Sequence, residues 1–97
     1  MMNNRERRYR KSESVVSRRI GDEFVMVPIR HDVGDMSSIY VLNDVAARIW
    51  ELIDGKRNIN EITSRVAEEF DVDYAEAEKD MLLFLVEVQD FLHFSDR

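Results

Sequence analysis

The sequence predicts an α+β domain, a three-stranded antiparallel sheet followed by three helices, and three observations carry that expectation. Two apolar runs flank Gly21-Asp22, as the strands of a hairpin do. Asn43, Asn58 and Asp73 each stand just ahead of a stretch whose apolar residues recur at helical spacing. A single glycine, Gly55, separates the first two of those stretches. With 97 residues the chain can build one modest core and hardly a second.

Residues 1–13 have almost no apolar content and are expected to lack fixed structure, which leaves 14–97 as the folded domain. Val15 to Ile20 and Glu23 to Ile29 read as strands joined at Gly21-Asp22, where glycine supplies the positive φ of a tight turn. In the second strand Phe24, Met26 and Pro28 alternate with Val25, Val27 and Ile29, so both faces are apolar. Pro28 cannot donate to a ladder and belongs at a sheet edge or strand end. A polar loop, Arg30 to Ser38, precedes a third strand, Ile39 to Leu42.

Asn43 is a natural N-cap, followed by Val45, Ala46, Ile49, Trp50 and Ile53 at helical spacing, with Gly55 as the stop. Asn58 caps the second helix with Glu61 as its capping-box partner, and Ile59, Ile62, Val66 and Phe70 form the buried stripe. Asp73 with Glu76 repeats the cap for a third helix reaching about Leu92. On that helix Ala77, Met81, Phe84, Leu85, Val88 and Leu92 share one face. Leu82, Leu83 and Val86 fall outside it. A wide core contact, a homodimer seam and one wall of a groove for an apolar peptide all account for that excess.

The chemistry is bounded by what is missing. The chain has no cysteine, which excludes disulfides, thiolate chemistry and cysteine-ligated metals. The two histidines, His31 and His93, have no ligand pattern around them; Asp32 and Asp35 beside His31 read as ordinary loop acids. No serine sits in a nucleophile elbow or triad context, and the three glycines stand singly, so no phosphate-cradling loop forms. No catalytic residue, metal or cofactor is expected. No apolar run approaches a membrane span, and the start has no apolar stretch after its basic residues, which makes a cytoplasmic protein the simplest reading.

The net charge of −6 divides unevenly. Residues 1–19 carry seven Arg and Lys against two carboxylates, while the rest carries seven bases against eighteen acids. The basic arm is either a solvated tail or a contact for an acidic partner or nucleic acid. A winged helix bound to DNA would use the helix at 59–70, yet Arg65 is its only base among Glu61, Glu68 and Glu69. That composition disfavours phosphate neutralisation and leaves nucleic-acid binding as the lesser alternative. Capture of a peptide by strand addition suits an acidic body better. The strand Ile39, Tyr40, Val41 and Leu42 offers an edge, and Leu82, Leu83 and Val86 offer apolar contact.

Leu42-Asn43, Ala46, Ile49-Trp50, Asp54-Gly55-Lys56-Arg57, Asn58 to Ile62 and Phe70 together resemble the PqqD family pattern of coenzyme PQQ synthesis. That pattern is a hydrophobic strand, L-N-x-x-A, an apolar pair, D-G-x-R, a capping Thr or Ser, E-I and a phenylalanine. The match spans about Val15 to Phe94, with Asn58 at the usual Thr or Ser and a longer loop at Arg30–Ser38. The resemblance implies a winged-helix-like fold that binds the leader of a ribosomally made precursor peptide and presents it to a radical S-adenosylmethionine enzyme. In the namesake pathway the product is pyrroloquinoline quinone. It implies that the leader docks beside Ile39–Leu42 against the third helix. The surplus apolar surface of that helix leaves both a monomer and a homodimer open.

Overall fold

The computed structural model describes residues 6–29 and 39–95; the loop expected at Arg30–Ser38 and the start of the basic arm lie outside the described residues. Along the chain run β1 (Tyr9–Lys11), β2 (Val15–Ile20), β3 (Glu23–Pro28), β4 (Tyr40–Leu42), α1 (Asp44–Leu52), α2 (Ile59–Phe70), α3 (Tyr74–Val88), a 3-10 turn (Gln89–Phe91) and β5 (Leu92–Phe94). The expected antiparallel sheet is present in the order β2-β3-β4. Its hairpin closes at Ile20↔Glu23, which leaves Gly21-Asp22 as the connection. Gly21 sits at φ 61, a conformation that costs a residue with a Cβ. Pro28 ends β3, where its missing N–H interrupts nothing.

The inner face of the sheet contributes Val15, Phe24 and Met26 to a core completed by the three helices. Trp50 lies at the centre of that core, 2% exposed, edge-on to Phe84 with ring centroids 6.5 Å apart. Its indole N–H donates to Ser17 Oγ at 3.1 Å, so the polar atom of the largest buried side chain is paired.

Two of the expected caps form as the sequence reads. Asn43 Oδ1 accepts from the Ala46 N–H at 2.8 Å. Asn58 and Glu61 make a reciprocal capping box, both bonds at 2.8 Å. Asp54-Gly55-Lys56-Arg57 is a closed turn: Asp54 Oδ1 accepts from the Lys56 and Arg57 N–H groups, and Asp54 Oδ2 pairs with the Arg57 guanidinium at 2.9 Å. Arg48 joins α1 to α2 through two bonds to the Glu69 carboxylate, at 2.7 and 3.0 Å.

Three features differ from the expectation. Asp73 holds the N-cap position of α3, but its side chain makes no cap hydrogen bond. The chain turns through a left-handed Asp71 (φ 56) to reach it. The third helix stops at Val88 instead of continuing to Leu92, because the following residues tighten into the 3-10 turn and then pair with β1. Residues expected to be unstructured include β1 itself, held on both sides. Tyr9–Lys11 pairs with Phe94–Leu92, while Gly55 N–H and Ile59 N–H donate to the carbonyls of Tyr9 and Arg7 at 2.7 and 3.0 Å.

Removing the cap acceptor in Asn58→Ala lowers unfolding free energy by about 1 kcal/mol, read from the denaturant midpoint at unchanged slope. The hydrogen bond from Arg48 holds the Glu69 carboxyl below its ordinary value, and the backbone N–H groups of Arg57 and Lys56 do the same for Asp54. Carboxyls depressed in the folded state contribute stability that is fully present above their unfolded pKa and lost as pH falls through the folded one. Stability therefore declines below about pH 4, and the double variant Glu69→Gln, Asp54→Asn shows a shallower decline in acid titrations followed by circular dichroism. An equally steep decline would contradict that assignment.

Candidate functional site

β4 is an edge strand, paired to β3 alone through Phe24↔Leu42, Val25↔Val41 and Met26↔Tyr40. In an antiparallel pair alternate residues turn their N–H and C=O groups away from the partner, so β4 presents backbone donors and acceptors along its open side. Its side chains divide by parity. Tyr40 and Leu42 pack against the core, and the Tyr40 ring stands edge-on to Phe91 at 5.6 Å. Ile39 and Val41 are each 59% exposed. No charged residue occurs in Ile39–Leu42, whereas the other sheet edge, β2, carries Arg18 and Arg19. Charges on an edge discourage further pairing, and their absence leaves β4 the receptive one.

Where β4 runs into α1, a groove of about 210 Å³ opens between that helix and α3. Val45, Ala46 and Ile49 line one side, Leu83 and Phe84 the other, with Asp80 and Glu87 on the α3 side and Asn43 at the junction with the strand. Contacts along β4 and the start of α1 thus progress from Phe91, opposite Tyr40, back toward the Asp80–Glu87 segment of α3. The strand leads into the groove through Asn43, which follows Leu42 and lines the groove.

The three α3 residues singled out from the sequence are not gathered in one place. Leu83, 58% exposed, lines the groove beside α1. Val86, 66% exposed, lines a separate recess of about 350 Å³ with Tyr9, Leu85, Gln89 and Leu92, on the side of α3 that meets β1 and β5. Leu82 is exposed and lines neither. The groove also uses residues that the sequence reading placed otherwise or passed over: Asn43 as a cap, Val45, Ala46 and Ile49 as apolar positions at helical spacing, and, not singled out at all, Asp80 and Glu87. The signal for the last two was the i−3 and i+4 spacing around Leu83, which puts all three on one flank of the helix.

Among the described residues no group of three His, Asp or Glu is close enough to hold a metal ion, and no helix is long and apolar enough to cross a membrane. What the geometry offers is backbone pairing beside apolar contact.

Comparison with known proteins gives a family and a fold. The family of coenzyme PQQ synthesis protein D (PqqD) matches residues 23–90. The solved structure of TbiB1 in complex with the TbiA(beta) leader peptide is 28% identical, with a TM-score of 0.69, over 87% of this chain and 94% of that one. A lasso peptide synthetase B1 complexed with its leader peptide shares the fold at a TM-score of 0.71, covering 88% of this chain and 96% of that one at 16% identity. No curated protein sequence matches the chain.

Adjacent positions on α3 separate site from scaffold. Phe84→Ala costs about 3–5 kcal/mol of stability, as expected for a buried aromatic. Leu83→Ala changes stability by no more than about 0.5 kcal/mol, because the side chain stands mostly in solvent. Chemical denaturation of the two variants checks both values.

Proposed function

Because this chain belongs to the coenzyme PQQ synthesis protein D (PqqD) family, we propose that it is a leader-recognition adaptor. It takes the leader segment of a ribosomally made precursor peptide as an added strand on β4 and presents that peptide to a radical S-adenosylmethionine enzyme. The adaptor has no chemistry of its own. The observation that carries the reading is the uncharged β4 edge continuing into the groove between α1 and α3. An extended peptide paired to Tyr40–Leu42 would bring alternate side chains against Leu83 and the exposed end of the groove. The 28% identical TbiB1 structure, itself a complex with a leader peptide, supports the same use of the fold.

The nucleic-acid alternative loses ground at α2. Arg65 lies 3.7 Å from Glu69, whose carboxylate also takes Arg48, so the helix that would meet DNA presents its one base against an acid. In the arm, Arg8 donates to the Lys56 carbonyl at 2.9 Å and serves the fold.

Isothermal titration with the precursor leaders encoded beside this gene tests the proposal. One of them binds the wild-type chain, and Leu83→Glu weakens it at least about tenfold by removing one apolar anchor, while the folding midpoint stays put. Binding indifferent to Leu83→Glu, or binding of duplex DNA in place of every leader, would overturn it.

A further inference from the structure

The groove has a sign as well as a shape. Its floor is apolar, from Val45, Ala46, Ile49 and Phe84, while Asp80 and Glu87 flank Leu83 on the α3 side. Among the described residues no cation is placed against either carboxylate. Among the described residues, ion pairs form elsewhere, at Arg48 with Glu51 and Glu69, at Arg57 with Asp54 in the turn between α1 and α2, and at Arg65 with Glu69. Asp44, in the first turn of α1, adds a third carboxylate where that helix begins beside the groove. Half of the fourteen bases fall in residues 5–19, and β2 presents two of those on the opposite edge of the sheet; α3 itself carries one base, the exposed Lys79 beside Asp80, which is not among the residues lining the groove.

From this complementarity we infer that the peptide accepted by the groove carries a lysine or arginine within two residues of its apolar anchor. This rests on the strand-addition reading of the same site. The spacing follows from geometry. Asp80 and Glu87 stand three and four residues from Leu83, about 4.5 and 6 Å along the helix axis. Neighbouring side chains on one face of an extended peptide are about 6.6 Å apart. An aliphatic anchor seated against Leu83 therefore puts the next same-side residue level with one of the carboxylates. A basic side chain there pairs with Asp80 or Glu87 and lays its methylene stem along the apolar floor. A glutamate in that position meets two or three like charges. The pair discriminates among peptides that share the apolar pattern, which apolar contact alone does poorly.

A display library of short random peptides, sorted against the full chain, tests the inference. Three baits are used: wild type, the groove variant Asp80→Asn, Glu87→Gln, and a control with the same charge removed elsewhere, Glu13→Gln, Glu68→Gln. The expected result is that wild type and control enrich Lys or Arg within two residues of an aliphatic or aromatic residue. The groove variant keeps the apolar pattern and loses the basic preference. In fluorescence anisotropy, changing that Lys or Arg of an enriched peptide to Gln weakens binding to wild type roughly two- to fivefold, and leaves binding to the groove variant unchanged. Equal basic enrichment against all three baits would assign the preference to the overall acidity of the body and overturn the inference. So would a wild-type pool without basic residues. Failure of the underlying reading looks different: enriched peptides would bind Leu83→Glu as well as wild type. A library from which nothing is enriched counts against both.

Discussion

Trp50 is the contact through which the sheet, the third helix and the N-terminal strand are held in register. Its ring meets Phe84 of α3 edge-on, its N–H is satisfied by Ser17 of β2, and Lys11 of β1 places its ammonium 5.2 Å from the ring centroid. Burial lowers the Lys11 pKa, against the opposing pull of Glu51 and Asp54. A buried indole of this size contributes on the order of several kcal/mol, and here that contribution is spread over elements from both ends of the chain. The rotation of α3 about its axis follows from it: with Phe84 turned to Trp50, Leu83 must emerge toward α1 and Val86 toward β1 and β5.

Under the proposed function, that rotation is what makes the edge of β4 useful. A bare three-residue strand offers a few backbone hydrogen bonds, each worth about 1 kcal/mol net, too little to offset association costs of at least about 4 kcal/mol. Apolar contact must supply the surplus, and α3 brings it alongside through Leu83 and the groove lined by Val45, Ala46 and Ile49. The capping of α1 by Asn43 fixes where the strand stops and the groove starts, since one residue ends the first and borders the second. Under the proposed function a structural device and a recognition device share that side chain.

Much of this was legible in the sequence because the deciding forces are local. The turn at Gly21-Asp22, the caps at Asn43 and Asn58 and the end of α1 before Gly55 each depend on residues within four positions of one another. The parts that escaped depend on partners far away. Leu92 continues an apolar helical pattern, and only pairing with Tyr9–Lys11, some eighty residues earlier, diverts it into β5. The same pairing orders a stretch whose polar composition had suggested no structure. For the site, periodicity identified Leu82, Leu83 and Val86 as surplus apolar surface, and all three are exposed. Periodicity could not say that α1 faces only one of them, nor that Asp80 and Glu87 border the groove, because those facts come from the packing angle between helices.

The central claim is that a peptide completes the sheet at β4. Amide hydrogen exchange, read residue by residue by NMR with and without a bound leader peptide, tests that claim most directly. The account predicts new protection at alternate residues of Ile39–Leu42, where outward N–H groups gain partners, with no change along Val16–Ile20. New protection along Val16–Ile20, or a bound leader that leaves the Ile39–Leu42 amides exchanging as before, would contradict it.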